Sequence, residues 1–257
     1  STGFFVNRTV FSIFLLFCLV SSLQYLSNTK NIKDNFITCV YVRFFVVFIT
    51  IGMITTFSRI GNFLLLNTML IYMINEIFFK KERKNILRNI ILTIIIVDVF
   101  VLGIYFGSSR VIDRFSFLQN EFAEINNTDV NFFRFQVINF AINQIYHYLF
   151  FGYGPGSFEI LFQLKFPNLI NQYANHAHSD LFQFIGEFGL IGLLLLFLSI
   201  LNFFLKINYN IKNNLLIFCL IIILFFDFSL HIPFIQFLFV CFFVLNQKFT
   251  KLSSNRS

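Results

Sequence analysis

Two histidines and an aspartate stand directly before a long apolar run. In the stretch NHAHSDLFQFIGEFGLIGLLLLF, residues 175–197, these are His176, His178 and Asp180. Histidine has an unperturbed pKa of about 6.5, so an imidazole can remove a proton from a hydroxyl group near neutral pH. The three side chains could also bind a metal from a loop, but a helix that begins here would separate them. We therefore favour proton transfer by a histidine, and we predict neither a metal nor a cofactor.

Two glycines recur at helical spacing after His178. At about 100° per residue, Gly189 returns to within roughly 20° of the direction of His178, and Gly192 lies roughly 40° to the other side. Small residues let a neighbouring helix approach closely, so the imidazole would stand over a tight helix contact at the membrane surface. A plain packing groove below an interfacial histidine fits the same spacing. Asp180 would not share this face, which makes it a weaker candidate for orienting the imidazole of His178.

Two arginines are candidates for binding a phosphorylated ligand. Arg59 follows Ser58 at the predicted end of a membrane helix, and Arg134 lies in a more polar segment. Arginine forms bidentate hydrogen bonds with phosphate and stays charged at any working pH. The sequence contains no D-x-D motif, so we expect arginine rather than a metal to stabilise the phosphate. Arg59 alone could also be an interfacial anchor, and Arg110 and Arg114 are alternatives to Arg134.

The composition is that of a membrane protein. Of the 257 residues, 57% are hydrophobic and only 12% are charged, too few to cover a soluble globule. A helix needs about 20 apolar residues to span the hydrocarbon core. Runs of that kind occupy about 9–27, 36–57, 60–79, 88–107 and 181–205, and the run 215–245 divides into two at DFSLHIP. The sequence thus predicts an all-α, polytopic fold with about seven membrane segments.

The distribution of Lys and Arg predicts the orientation of these segments. One alternate set of loops contains Lys30, Lys33, the segment KKERKNILR and the lysines near the C-terminus. An excess of basic residues is typical of short cytoplasmic loops. The turn at Arg59, the segment 108–180 and the DFSLHIP turn are therefore expected on the external side of the membrane.

These assignments predict three parts of the chain. Residues 1–107 would form four membrane helices, 108–180 a large external loop with surface helices, and 181–257 three more membrane helices with a short cytoplasmic tail. Within the loop, VIDRFSFLQNEFAEI and FFRFQVINFAINQIYHYLFFG have apolar residues at helical spacing, and Gly152 ends the second helix. GYGPGSF predicts a tight turn, followed by a short helix from about Ser157.

Charged residues inside the apolar runs are few. Arg43 and Asp98 lie at comparable depths in their predicted helices, which predicts a structural ion pair. Glu187 lies two to three turns below His178 and is a candidate for a substrate cavity. The net charge of +7 is dispersed over the loops, so nucleic-acid binding is not expected.

Five stretches of the sequence, in order, resemble one family of membrane enzymes. His178-Ser179 followed by Gly189-x-x-Gly192, within AHSDLFQFIGEFGLIG, is similar to the histidine motif of the O-antigen ligase and O-antigen polymerase superfamily. The other four stretches that resemble this family are TGFFVNRTVFSIFL, TFSRIGNFLLL, RFQVINFAINQIYHYLFFGYGPGSF and FFDFSLHIPFIQFLF. Since the chain begins without Met, we expect it to be the C-terminal portion of a longer protein.

The resemblance implies a glycosyltransferase of the bacterial inner membrane with its active site facing the periplasm. The implied donor is a glycan on polyprenyl pyrophosphate, such as undecaprenyl pyrophosphate, and the implied acceptor is a hydroxyl of lipid A core. By motif position, His178 would be the base and Arg59 and Arg134 would bind the pyrophosphate. Ser58, Ser179, Asp180, Gly189 and Gly192 would support the site.

Alternatives remain at this stage. A polysaccharide polymerase or a protein glycosyltransferase would use the same donor chemistry. A membrane transporter or lipid-binding scaffold would instead show inverted repeats and more charged residues near the midplane of several helices.

Overall fold

The computed structural model describes residues 3, 5–28, 36–78, 133–166, 174–205 and 211–254. Within these ranges all regular structure is helical, which confirms the predicted all-α class. The helices are α1 (Arg8–Asn28), α2 (Phe36–Thr55), α3 (Arg59–Phe78), α4 (Phe133–His147), α5 (Phe158–Lys165), α6 (Asp180–Leu205), α7 (Ile211–Phe226) and α8 (Pro233–Ser254), and a 3-10 turn (Ser229–His231) separates the last two.

Three of the described helices are long and apolar enough to cross a membrane: Arg8–Leu26, Ile37–Thr55 and Asp180–Asn202. Two shorter apolar helices, Asn213–Phe226 and Pro233–Val244, flank the predicted DFSLHIP turn. Helix α3 forms where a span was predicted but does not meet the same criterion within the described chain. The predicted span at 88–107 and the helix VIDRFSFLQNEFAEI lie outside the described residues. The total of seven segments therefore stays a prediction.

The chain divides into two compact units, Ser1–Phe115 with Asn210–Leu216, and Ser116–Tyr209 with Ile217–Ser257. In the first unit, α1, α2 and α3 pack together around fully buried apolar residues such as Leu19, Val46 and Leu64. Gly61 of α3 lies so close to Ser12 of α1 that a Cβ at Gly61 would overlap its hydroxyl. This close contact sets the position of the start of α3.

In the second unit, a cluster of phenylalanines joins α4 to α5. The ring of Phe140 packs edge-on against Phe162 and Phe166, with centroids 5.3 and 5.7 Å apart. Phe162 and Phe166 stack with centroids 4.4 Å apart, and Phe158 is buried beside them. Because aromatic pairs add about 0.5–1.5 kcal/mol each beyond area burial, this cluster fixes the turn that connects the two helices. Both helices begin where the sequence predicts them, but α4 ends at His147 rather than at Gly152.

Helix α6 is broken at Gly189, which adopts φ 67° and ψ −172°. The break interrupts the hydrogen-bond ladder, and the turn after α4 supplies replacement partners. Tyr153 N–H donates to the carbonyl of Gly186 (2.9 Å), and Leu190 N–H donates to the carbonyl of Leu149 (2.9 Å). A Cβ at Gly189 would overlap the carbonyl of Phe150. The helix is thus broken where the turn's backbone comes closest.

This break corrects the interpretation of the glycine spacing. Counting from His178 assumed one continuous helix, whereas α6 begins at Asp180 and changes direction at Gly189. The close neighbour is the backbone of the turn at 149–154 rather than another helix. Gly192 lies beyond the break, where an added Cβ would collide with the side chain of Phe188.

Candidate functional site

His178 lies just outside α6 in a left-handed backbone conformation, with φ 56°. This region is uncommon for residues other than glycine and is found at functional sites when the surroundings enforce it. Here the neighbouring residues are held on both sides. Ala177 N–H donates to Oε1 of Gln183 (3.1 Å), and Asp180 N–H donates to the carbonyl of Asp227 (2.9 Å). The hydroxyl of the buried Ser179 donates to the carbonyl of Leu224 (3.4 Å).

The carboxylate of Asp180 binds the 3-10 turn at His231. Its Oδ1 contacts Nδ1 of His231, and its Oδ2 accepts the backbone N–H of Leu230 at 2.8 Å. The carboxylate is 4% exposed, whereas the imidazole of His231 is 31% exposed. Both of its oxygens thus contact the 3-10 turn, and the role of Asp180 in orienting His178 stays a prediction. Sequence reasoning missed His231 as a site residue, although it lies in the DFSLHIP interruption of an apolar run.

Phe228 lies among three histidines of this unit. His176 stacks on its ring with centroids 5.0 Å apart and planes 16° from parallel, and His178 meets it edge-on at 5.6 Å. The rings of His176 and His231 are 5.3 Å apart. Three of the four histidines of the chain are therefore grouped at the start of α6, and the fourth, His147, ends α4.

The surroundings shift the pKa values of two of these imidazoles in opposite directions. Burial lowers the pKa of His176, and the nearby His231 lowers it further. The hydrogen bond to Asp180 raises the pKa of His231 in spite of partial burial. Near neutral pH, His176 is therefore held neutral, while His231 is the more basic of the two.

Glu187 connects the glycine turn to the backbone beside His178. This carboxylate is 5% exposed and accepts hydrogen bonds from Nε2 of Gln183 (2.9 Å) and from the backbone N–H of Gly156 (3.0 Å). Gln183 in turn holds Ala177. Both oxygens of Glu187 take part in this network, and its predicted place in a substrate cavity stays a prediction. Burial raises the pKa of Tyr153, and the negative charge of Glu187 raises it further.

The H-x-H-x-D spacing does not assemble a metal site in the described residues. No group of three or more His, Cys, Asp or Glu side chains there is arranged to hold a metal ion. Asp180 instead pairs with His231.

The two predicted phosphate-binding arginines each begin a helix. Arg59 is the exposed first residue of α3, and Ser58 caps that helix by accepting the N–H of Gly61 at its Oγ (3.2 Å). Arg134 lies in the first turn of α4. The positive end of a helix favours anions, so each location suits a phosphate contact. Arg59 belongs to the first unit and Arg134 to the second. Their convergence on His178 stays a prediction, and Asp98, Arg110 and Arg114 lie outside the described residues.

Comparison with known proteins agrees with these features. The profile of the O-antigen ligase family matches residues 44–197, more than half of the 257-residue chain. This range includes Arg59, Arg134, His178 and the Gly189 break. No curated protein and no solved structure matches the chain significantly. The family match confirms the resemblance of the motifs: the chain belongs to the O-antigen ligase family and is a membrane-embedded glycosyltransferase of the ligase or polymerase type.

Proposed function

We propose that this protein transfers a glycan from a polyprenyl-pyrophosphate carrier to an acceptor hydroxyl of lipid A core, without a metal ion and with inversion at the anomeric carbon. The observation that carries the proposal is the group of imidazoles around Phe228, directly before an apolar helix long enough to cross a membrane. A lipid-linked donor presents its phosphates at the headgroup level. The start of a membrane helix is the depth at which a reacting group would meet them.

In this proposal His178 is the base. The imidazole accepts the proton of the acceptor hydroxyl as the oxygen attacks the anomeric carbon, and the bond from that carbon to the pyrophosphate oxygen breaks. A single displacement of this kind inverts the configuration. The left-handed backbone at His178 supports the assignment, because the hydrogen bonds of Ala177 and Asp180 hold this conformation.

Arg59 and Arg134 bind the departing pyrophosphate. The leaving group carries about two negative charges, and guanidinium groups at helix N-termini stabilise them as they develop. Ser58 supports Arg59 by capping α3. Asp180 and Ser179 support His178 by fixing the start of α6, and Gly189 lets the 149–154 turn pack against it.

We place the reaction on the periplasmic side of the bacterial inner membrane. The placement follows from the basic loops on the opposite side, which include KKERKNILR. A polysaccharide polymerase would use the same residues with a glycan as acceptor, so the acceptor is what separates the two versions of this proposal.

The test is reconstitution of the protein in liposomes with an undecaprenyl-pyrophosphate-linked glycan, offered either lipid A core or a second glycan chain. His178→Ala and Arg59→Ala should each lower transfer by about a hundredfold or more. His147→Ala is the matched control, because this exposed histidine lies outside the site and should not matter. Persistent transfer in both site variants, or its loss on adding a chelator, would contradict the proposal. The size of the product distinguishes a ligase from a polymerase.

A further inference from the structure

His231 has the hydrogen-bonding pattern of an imidazole prepared to accept a proton. Asp180 contacts its Nδ1, which places the ring proton on that nitrogen and leaves the lone pair on Nε2. The contact of the ring with Asp180 uses Nδ1 alone. With 31% of its side chain exposed, His231 can also exchange protons with water.

The 3-10 turn holds this imidazole in a fixed position. The second oxygen of Asp180 accepts Leu230 N–H at 2.8 Å, and Nε2 of Gln236 donates to the carbonyl of Leu230 at 2.6 Å. The buried Ser229 hydroxyl contacts the carboxylate of Asp227. Pairing with a buried carboxylate stabilises the imidazolium form, because the resulting positive charge lies next to a negative one.

His231 and the residue assigned as the base lie in the same group of packed rings. His231 is 5.3 Å from His176, which stacks on Phe228 at 5.0 Å, and His178 meets the same phenylalanine at 5.6 Å. Of the charged groups that act on His231, Asp180 and Glu187 favour its protonation. The pKa of His176 is lowered and that of His231 is raised, so His231 is the more basic of these two imidazoles.

We propose that the Asp180–His231 pair is the proton outlet of the transferase site. The inference rests on the proposed function, because the proton concerned is the one that His178 removes from the acceptor hydroxyl. The acceptor O–H bond breaks, the oxygen bonds to the anomeric carbon, and the pyrophosphate oxygen leaves with the electron pair of the broken bond. The proton passes from His178, by way of intervening water, to Nε2 of His231 and from there to bulk water, which returns His178 to its neutral form for the next turnover.

The test compares His231→Gln with the unaltered protein in liposomes, in dilute and in concentrated imidazole buffer. In dilute buffer, kcat should fall by about a hundredfold, the low end for a positioned acid–base group, with KM for the lipid-linked glycan nearly unchanged. Concentrated imidazole should restore much of the lost rate, because a diffusible base replaces the missing one. Asp180→Asn should show a smaller loss with the same rescue. His147→Ala should show neither effect.

A merely structural role for His231 predicts a different result. Loss of activity that imidazole does not restore, in a variant with unchanged thermal unfolding, would overturn the proton-outlet proposal. Unchanged kcat in His231→Gln would do the same. Failure of the proposed function itself is distinguishable, because transfer would then be absent in the unaltered protein or would survive His178→Ala.

Discussion

Glu187 of α6 accepts a hydrogen bond from the backbone N–H of Gly156, 31 residues earlier in the chain. The same carboxylate binds Gln183, and Gln183 binds the N–H of Ala177 beside the proposed base. The glycine turn and the conformation of His178 are thus connected through two buried side chains. A change in the turn is therefore expected to reach the site without any direct contact between them.

Glu187→Ala should destabilise the fold and lower activity together. The substitution leaves the buried amide of Gln183 without its acceptor, and a buried polar group without a partner costs about 1–3 kcal/mol. Chemical unfolding in detergent, alongside kcat, measures both effects. Glu159→Ala on α5 is the control and should lower the free energy of unfolding by less, about 0.3–1 kcal/mol, because this carboxylate only favours the positive end of its helix. Equal stability of the two variants would contradict the role given to Glu187.

Gly189→Ala and Gly156→Ala form a matched pair. Both glycines have positive φ, at 67° and 69°, so alanine is strained by about 1–3 kcal/mol at either position. Only at Gly189 would the new Cβ also overlap backbone, whereas at Gly156 it meets nothing within 4 Å. Gly189→Ala should therefore lower the free energy of unfolding clearly more than Gly156→Ala. Similar losses in the two variants would mean that the packing of the turn against α6 is unimportant.

Much of the fold follows from local pattern, but the site does not. Hydrophobic runs and turn residues predict α1, α2, α6 and the short helix after Ser157, because each depends on neighbours in sequence. The partner of Asp180 lies 51 residues away, so no local spacing could identify His231. The break at Gly189 depends on a carbonyl of Phe150 that approaches from another part of the chain. Assigning residues of α6 to one helix face from their spacing in the sequence therefore fails.

Variants of His178 should separate activity from stability. At φ 56°, a residue with a Cβ has a steric cost that glycine lacks. His178→Gly therefore relieves strain that His178→Ala keeps. Both should reduce glycan transfer by about a hundredfold or more, because each lacks the imidazole. His178→Gly should nevertheless be no less stable than His178→Ala in thermal unfolding. Retention of transfer by either variant would remove His178 from the mechanism.

The two shifted histidines should give stability opposite dependences on pH. The folded pKa of His231 is raised above 6.5, so its contribution is fully present below about 6.5 and is lost as the pH rises through the raised value. The folded pKa of His176 is lowered, so stability falls as the pH drops from about 6.5 through the lowered value.

Unfolding of His231→Gln and His176→Gln across this range tests the assignment. Relative to the unaltered protein, His231→Gln should lose more stability at acidic pH than at alkaline pH, because it lacks the imidazolium paired with Asp180. The stability of His176→Gln relative to the unaltered protein should be higher at acidic pH than at alkaline pH, because the variant has no buried imidazole that resists protonation. His147→Gln, with an exposed side chain, serves as the reference. If the stability of both site variants depended on pH in the same way as that of His147→Gln, the assigned surroundings of His176 and His231 would be incorrect.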